Sequence, residues 1–456
     1  MPFLKGIFLG ENLSSHRGEF KTSIGFILAT AGSAIGLGNI WQFPSQTAEN
    51  GGAAFVFVYL ILTFVLAYPV LMAELIIGRY SRLNILGAYQ KLSPTKHFSL
   101  AGYWAIICAG LILAFYAIIA GQMLSFVFEA FFNALGFTSY ATWVTENSVI
   151  RNILFTTLFY ILTISIVLKG IQSGIETWAS KLMPSLILIL IGLIIYVATQ
   201  NGASIGFKKY LIPDFSKVIE PQLLLSAMGQ GFFSLSVGVG GILAYGSYMS
   251  HKENIVKIGA YVTLADICVA FLAGLLIIPA MYVASSNGIE IFTESGVIKD
   301  GKALIFNVLP ELFKTMGSTG IFVSFIFFIL MTIAALTSSI SMLEGLVAFG
   351  IDNKNMTRKN ASYLFSGIVL IISIILVLNF NTLFGFIVTL TSKYSLPILA
   401  TVFCIFVGWI VRQNDLLEEI RKGYPNADEG LFFKLWPLFM RIVCPALILL
   451  VFWQTL

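Results

Sequence analysis

Apolar runs long enough to cross a bilayer recur along this chain, separated by short polar connections. A hydrocarbon core about 30 Å thick needs about 20 apolar residues per helix. On that measure the pattern predicts eleven spans, roughly 22–47, 53–78, 99–131, 149–168, 174–199, 222–249, 255–286, 318–350, 361–379, 383–411 and 435–455. Two of these spans are interrupted by glycine: SAIGLGN at 33–39 and SLSVGVGG at 234–241. Each reads as a helix that stops halfway across. An unpaired backbone N–H or C=O in hydrocarbon costs several kcal/mol, so such a break persists only where it lines a cavity or holds a ligand.

The first ten spans divide into two sets of five, each opening with a glycine-broken helix. Five is odd, so the second set must insert upside down. The expected fold is therefore an all-α integral membrane protein with eleven transmembrane helices. It contains a 5+5 inverted repeat in which helices one and six are discontinuous, the arrangement that places substrate and ions near the midplane. The expected organisation is a cytoplasmic segment 1–21, a first repeat 22–199, an extracellular loop 200–221, a second repeat 222–411, a charged cytoplasmic loop 412–434 read as ordinary solvated chain, and an eleventh helix 435–456. A second extracellular connection, 287–317, includes a short helix near 302–315.

Composition narrows this further. The chain has 456 residues, 58% hydrophobic and 11% charged, where a soluble domain carries about 25% charge. A soluble protein is excluded. The net charge of +5 matters less than its placement, because Lys and Arg gather in alternate loops. The positive-inside bias puts the N-terminus in the cytoplasm and, with an odd count, the C-terminus outside, in a multi-pass protein of the plasma (inner) membrane. The first twenty residues lack a compact apolar core, so no cleavable signal is expected. Cys108, Cys268, Cys404 and Cys444 fall in apolar spans, and neither a disulfide nor a transition-metal site is expected. No nucleophile elbow or HExxH motif appears, so the chain does not read as an enzyme, and no nucleic-acid partner is expected.

The polar residues within the spans carry the candidate chemistry. The first break holds Gly32, Gly36 and Gly38 beside Ser33 and Asn39. Unwound backbone there offers carbonyls to a cation and N–H groups to an anion, and the plainer alternative is a GxxxG packing face. The sixth span supplies Gln230, Phe233, Ser234, Ser236, Gly238, Gly240 and Gly241. The eighth contains Thr337, Ser338 and Ser339, three consecutive hydroxyls that cannot all share one helix face. Asp266 lies deep in the seventh span, where an unpaired carboxylate is costly. No Lys or Arg is read at comparable depth in the opened spans, which leaves a hard cation or a proton as its partner. Glu74 and Glu344 are read as bridging helices by bonding backbone groups at the breaks.

The stretches ATAGSAIGLGNIWQFPSQTAENGGAAF, GQGFFSLSVGVGGILAYGSY at 229–248 and AALTSSIS at 334–341 resemble the neurotransmitter:sodium symporters, the family that includes the bacterial leucine transporter, over essentially the whole chain. The resemblance is to the eleven-helix bacterial type. It implies a sodium-coupled symporter importing a small-molecule substrate, a neutral and hydrophobic α-amino acid, by alternating access. A proton-assisted transporter or a non-transporting sensor of the same fold are the alternatives. By motif position, a first sodium ion would be held by the Ala34 carbonyl, Asn39, Ser234 and Asp266, where the family often has an amide. A second would lie among Gly32, Ile35, Ala334, Thr337 and Ser338. Leu37, Gly38 and Tyr116 would receive the substrate carboxylate, and carbonyls from Phe233 to Ser236 its ammonium. Gly36, where monoamine-carrying relatives place an Asp, leaves room for that carboxylate.

The same resemblance lines the side-chain pocket with Ser33, Ile112, Phe233, Ser236, Val239, Ser338 and Met342. It makes Arg17 and Asp352 an inner gate with Phe20 and Tyr248 beside it, and replaces the outer gate's usual ion pair by Gln42 and Val388. Ala270 stands where chloride-dependent relatives carry a hydroxyl, so no chloride requirement is expected. Gly174 and Pro184 resemble a break in the fifth helix. The oligomeric state is left open.

Overall fold

The long apolar runs become long helices because only intrasegment hydrogen bonding satisfies the backbone of a chain in hydrocarbon. The computed structural model describes residues 18–235, 237–291 and 309–455. In chain order the helices are α1 (Ser23–Ala34), α2 (Gly38–Glu49), α3 (Ala53–Ser81), α4 (Ile85–Leu92), α5 (His97–Ala134), α6 (Thr138–Thr145), α7 (Val149–Val167), α8 (Ile171–Ala198), α9 (Ala203–Leu211), α10 (Pro221–Ser234), α11 (Gly241–Gly246), α12 (Ile255–Ser286), α13 (Leu309–Thr315), α14 (Gly317–Lys354), α15 (Arg358–Leu378), α16 (Phe380–Ile410), α17 (Gln413–Arg421) and α18 (Leu431–Gln454). Among the described residues nine helices are long and apolar enough to cross a membrane, and ten if the bent pair α1–α2 is one span.

Both glycine-rich stretches are breaks. Helices α1 and α2 meet at 57°. The sixth run divides into α10, of 14 residues, and α11, of 6, each too short to span on its own. Between them Gly238 stands at φ +102° and Gly240 at φ +80°, a left-handed backbone that only glycine adopts without strain. Glu74 of α3, fully buried, accepts the N–H groups of Gly238 and Leu243, the latter at 3.0 Å. A carboxylate thus takes up two of the donors the interruption frees.

Around these breaks α5 and α14 form the most extensively packed helix pair, and α12 lies against α1, α2 and α3. At its start α1 is capped by Thr22, whose hydroxyl accepts the Gly25 N–H at 2.9 Å. Glu176 of α8 accepts Lys21 N–H (2.8 Å), Thr22 N–H (3.0 Å) and the Thr22 hydroxyl (2.7 Å). A carboxylate is well placed beside the N–H groups that open a helix. Helix α8 begins with a π-turn over Ile171–Glu176 and continues through Pro184 without unwinding.

Two expectations need correction. The connection after α16 is not simply solvated chain: α17 buries Leu416, Glu419 and Ile420, and Glu419 pairs with the fully buried Arg79 at 2.7 Å. His251 and Lys422 also reach Glu419, at 2.8 and 2.7 Å. Glu344 does not bond backbone at a break. It pairs with Arg358 (2.7 Å) and accepts the Tyr248 hydroxyl (2.7 Å), because the start of α15 brings a guanidinium beside it. Outside the two glycine-broken spans, Lys393 stands near the middle of the 31-residue α16.

Candidate functional site

The break in the first helical pair leaves Ile35 to Leu37 between α1 and α2, and the site forms around it. Asn39 opens α2 and is fully buried. Its amide oxygen accepts the Gly36 N–H at 3.1 Å. Its amide nitrogen donates to Asp266 Oδ1 at 2.7 Å and to Ser234 Oγ at 2.9 Å. Ser234 donates in turn to Asp266 Oδ2 at 2.8 Å, and the Tyr59 hydroxyl donates to Ser234 at 3.3 Å. Three residues separated by up to 227 positions thus meet across α2, α10 and α12. Asp266 is 0% exposed, and its side-chain partners are neutral. A buried carboxylate supported only by neutral oxygen and nitrogen groups matches the chemistry of a hard cation's ligand set. Ala34, whose carbonyl was expected beside them, ends α1 and lines the adjoining cavity.

Some 300 residues downstream, α14 brings its hydroxyls to the other side of the break. Ser338 donates toward the carbonyls of Ile35 (3.2 Å), Ser33 (3.3 Å) and Gly32 (3.5 Å). Thr337 bonds back to the Ala334 carbonyl at 3.1 Å, the ordinary habit of a helical hydroxyl. A Cβ built on Gly32 would lie 3.2 Å from the Thr337 Cβ and 3.0 Å from the Met183 sulfur, so Gly32 also lets α1 approach α14. The close approach at Gly32 fits the packing reading of the glycines. The carbonyls of Gly32, Ile35 and Ala334 and the two hydroxyls make an all-oxygen group. Ser339 is buried as well, and its hydroxyl has no hydrogen-bond partner among the described residues.

Between these two clusters lies a cavity of about 320 Å³. Of the residues assigned to the substrate site from sequence, Ser33, Leu37, Gly38, Ile112, Tyr116, Phe233, Ser234, Val239, Ser338 and Met342 line it. The Leu37 N–H donates to the Tyr116 hydroxyl at 3.3 Å, so the backbone donor and the phenol stand side by side. A Cβ on Gly36 would lie 2.6 Å from Ser338 Oγ and 2.9 Å from the Tyr116 hydroxyl. Only glycine fits there without displacing one of them. Gln230 ties α10 to the break through the Gly38 carbonyl at 3.2 Å, and Ala270 is buried one turn after Asp266.

The expected gates are placed unevenly. Arg17 and Ser236 lie outside the described residues. Phe20 is buried, packs edge-on to Phe26 and Tyr245, and donates its N–H to the Tyr248 carbonyl at 3.1 Å. Asp352 accepts both the backbone and side-chain N–H of Asn84 at 2.8 Å. Gln42 lines the cavity and Phe233 is 38% exposed. Sequence reasoning missed Lys393, Leu396 and Pro397 of α16, and Ile448, Val451 and Phe452 of α18, which also line the cavity. The run TSKYS, polar inside an apolar span, was the available signal for the α16 wall.

The Sodium:neurotransmitter symporter family profile matches residues 17–154 and 148–456. The chain is 33% identical over 454 residues to the sodium-dependent transporter YhdH of Bacillus subtilis, covering 95% of this chain and 96% of that one. It is 31% identical over 465 residues to a sodium-dependent transporter of Haemophilus influenzae, covering 96% and 98%. Among solved structures, that of MhsT in complex with L-phenylalanine superposes with a TM-score of 0.82 at 33% identity, over 96% of this chain and 100% of that one. These relatives are sodium-dependent transporters and not enzymes, and the long apolar helices make the chain a multi-pass membrane protein. The chain belongs to the sodium:neurotransmitter symporter family.

Proposed function

We propose that this protein is a sodium-coupled symporter that imports a neutral, hydrophobic α-amino acid by alternating access. The observation that carries the reading is the unwound segment at Ile35–Leu37, flanked by the Asn39–Ser234–Asp266 cluster on one side and by Ser338 on the other. Two sodium ions are the co-transported cargo. The first takes the Ala34 carbonyl, Asn39, Ser234 and Asp266, and the second takes Gly32, Ile35, Ala334, Thr337 and Ser338. The substrate carboxylate meets the N–H groups of Leu37 and Gly38 and the Tyr116 hydroxyl. Its ammonium meets carbonyls from Phe233 to Ser236, and its side chain lies among Ser33, Ile112, Phe233, Ser236, Val239, Ser338 and Met342.

A cavity of about 320 Å³ is at the lower end of the range for small-molecule sites and suits one amino acid. The L-phenylalanine complex of the structural neighbour supports a bulky apolar side chain. The coupling energy is adequate. Each sodium ion contributes about 2.3 kcal/mol per 100 mV and about 1.4 kcal/mol per tenfold gradient, so two ions sustain roughly 10⁵-fold accumulation of a zwitterion. The arrangement belongs to eleven spans with an inverted 5+5 repeat, N-terminus inside and C-terminus outside. The inner gate is Arg17 and Asp352 with Phe20 and Tyr248. The outer side closes over the Tyr116 and Phe233 lid, with Gln42 and Val388 in place of an ion pair. Asp266 supplies a fixed negative charge, so no chloride is required.

The test is uptake of radiolabelled neutral amino acids into proteoliposomes under an inward sodium gradient, against choline, at two pH values. Sodium-dependent accumulation that is lost in Asn39→Ala and Thr337→Ala supports the reading. Uptake driven by a proton gradient without sodium would assign the coupling to Asp266 protonation instead, and binding without accumulation would make the protein a sensor.

A further inference from the structure

Among the described residues, Lys393 is the single charged side chain lining the cavity. It stands in the π-turn Thr389–Ser395 of α16, where the extra residue per turn redirects side chains, a feature concentrated at functional sites. Its ammonium lies 5.6 Å from the Tyr394 ring centroid, and among the described residues it forms no ion pair. Among the described residues no acidic side chain lines the cavity, and the nearby carboxylates Asp266 and Glu74 are bonded to Asn39 and to the Gly238 N–H. A cation within an apolar span is expensive unless it faces water or a counter-charge. Lys393 is solvent-exposed, and closing the cavity over it would remove that solvation.

We propose that Lys393 is a carboxylate-recognition residue, a second anion point in the cavity apart from Leu37 and Tyr116, with the counter-charge brought by the cargo. The inference rests on the transport reading above. The cavity lining also includes Gln42, Phe232, Ser392 and Phe452, which offer a neutral amide, a hydroxyl and two aromatic rings. The ammonium is the strongest anion attractor among these side chains. The carboxylate has two sources: the α-carboxylate of an arriving amino acid, drawn to Lys393 before it settles at the break, or the side-chain carboxylate of a dicarboxylic amino acid. Charge in a cleft with low-dielectric walls raises capture rates by roughly 10- to 1000-fold and loses that advantage as ionic strength rises.

The experiment compares the wild type with Lys393→Met, Lys393→Gln and Lys393→Arg in proteoliposomes. It measures the KM for leucine at low and high ionic strength with sodium held constant, and competition by glutamate and aspartate. If the α-carboxylate is the partner, Lys393→Met and Lys393→Gln raise the leucine KM about tenfold at low ionic strength. They also flatten its ionic-strength dependence, and Lys393→Arg restores both. If the side-chain carboxylate is the partner, the leucine KM holds while competition by glutamate and aspartate, present in the wild type, disappears in Lys393→Met and Lys393→Gln and returns in Lys393→Arg. Monodisperse protein of either neutral variant with wild-type KM, salt dependence and competition overturns the proposal. A wild type that takes up no amino acid with sodium fails before any variant is compared, and that failure belongs to the transport reading.

Discussion

Gly36→Ala adds one methyl group at the point where the break, α5 and α14 converge. The new Cβ would sit 2.6 Å from Ser338 Oγ and 2.9 Å from the Tyr116 hydroxyl, both inside ordinary contact distance. Both hydroxyls are held: Ser338 bonds carbonyls of the break, and Tyr116 receives the Leu37 N–H. Relief requires moving at least one of them. Overpacking of this kind costs about 1–3 kcal/mol, which at about 1.4 kcal/mol per decade is roughly 5- to 150-fold in an equilibrium constant. Ser338 belongs to the proposed second ion group and Tyr116 to the carboxylate group, so the substrate KM and the sodium concentration for half-maximal uptake should both rise by a factor in that range. Gly192→Ala is the matched control, because nothing lies within 4 Å of a Cβ there and alanine favours a helix interior. The assay is initial-rate uptake in proteoliposomes as sodium and amino acid are varied in turn, with variant insertion checked by blotting. If Gly36→Ala keeps both half-saturation values while Gly192→Ala behaves as wild type, the convergence of Tyr116 and Ser338 on the transported species is refuted.

Asp266→Asn removes the carboxylate of the first ion group while keeping its shape, and should weaken sodium activation by roughly 10- to 150-fold, the equivalent of about 1.5–3 kcal/mol; an unchanged sodium activation curve would show that the charge does not face the ion. Glu74→Leu leaves the N–H groups of Gly238 and Leu243 without their acceptor, at about 1–3 kcal/mol each, so the thermal midpoint of detergent-solubilised protein should fall, and less so for Glu74→Gln. Equal midpoints for all three proteins would remove the carboxylate from the account of that break. Burial opposes the charge on Glu419, but Lys422, Arg79 and His251 outweigh it and hold its carboxyl below the ordinary value of 4.5. A depressed carboxyl contributes its full stability above that ordinary value and loses it as pH falls through the lower folded value. The thermal midpoint should therefore drop on acidification below about pH 4.5 in the wild type, and Glu419→Ala should be lower at pH 7 and flatter with pH; parallel pH profiles would contradict the assignment.

The helices and both breaks were legible because they follow from local properties, namely apolar run length and the glycines at 36, 38, 238 and 240. That Asn39, Ser234 and Asp266 meet was not legible from spacing, since they lie far apart in sequence, and only the resemblance of long motifs brought them together. Lys393 escaped because a single cation among 31 helical residues gives no sign of its direction, which here depends on a π-turn. Glu419 escaped for the opposite reason. Its neighbours NDLLEEIRK look solvated, and the buried partner Arg79 is 340 residues away. The signal present was the apolar spacing of Leu416 and Ile420 on one face of α17. Glu344 was assigned to backbone bonding because nothing in α14 itself announces Arg358, fourteen residues on and beyond a left-handed turn at Asn355.

Glu176 holds the start of α1 through Lys21 and Thr22, and it touches neither the cavity nor either ion group. On the alternating-access reading proposed above, contacts made in only one of the two shapes would act as ballast. They set the resting proportion of the two shapes without favouring any cargo. Lightening that ballast rescales the apparent affinity for every transported molecule by one shared factor, whereas changes in the cavity wall would reorder them. A residue remote from the substrate can thereby set how readily the carrier accepts all of its cargo, while leaving its preferences among them intact.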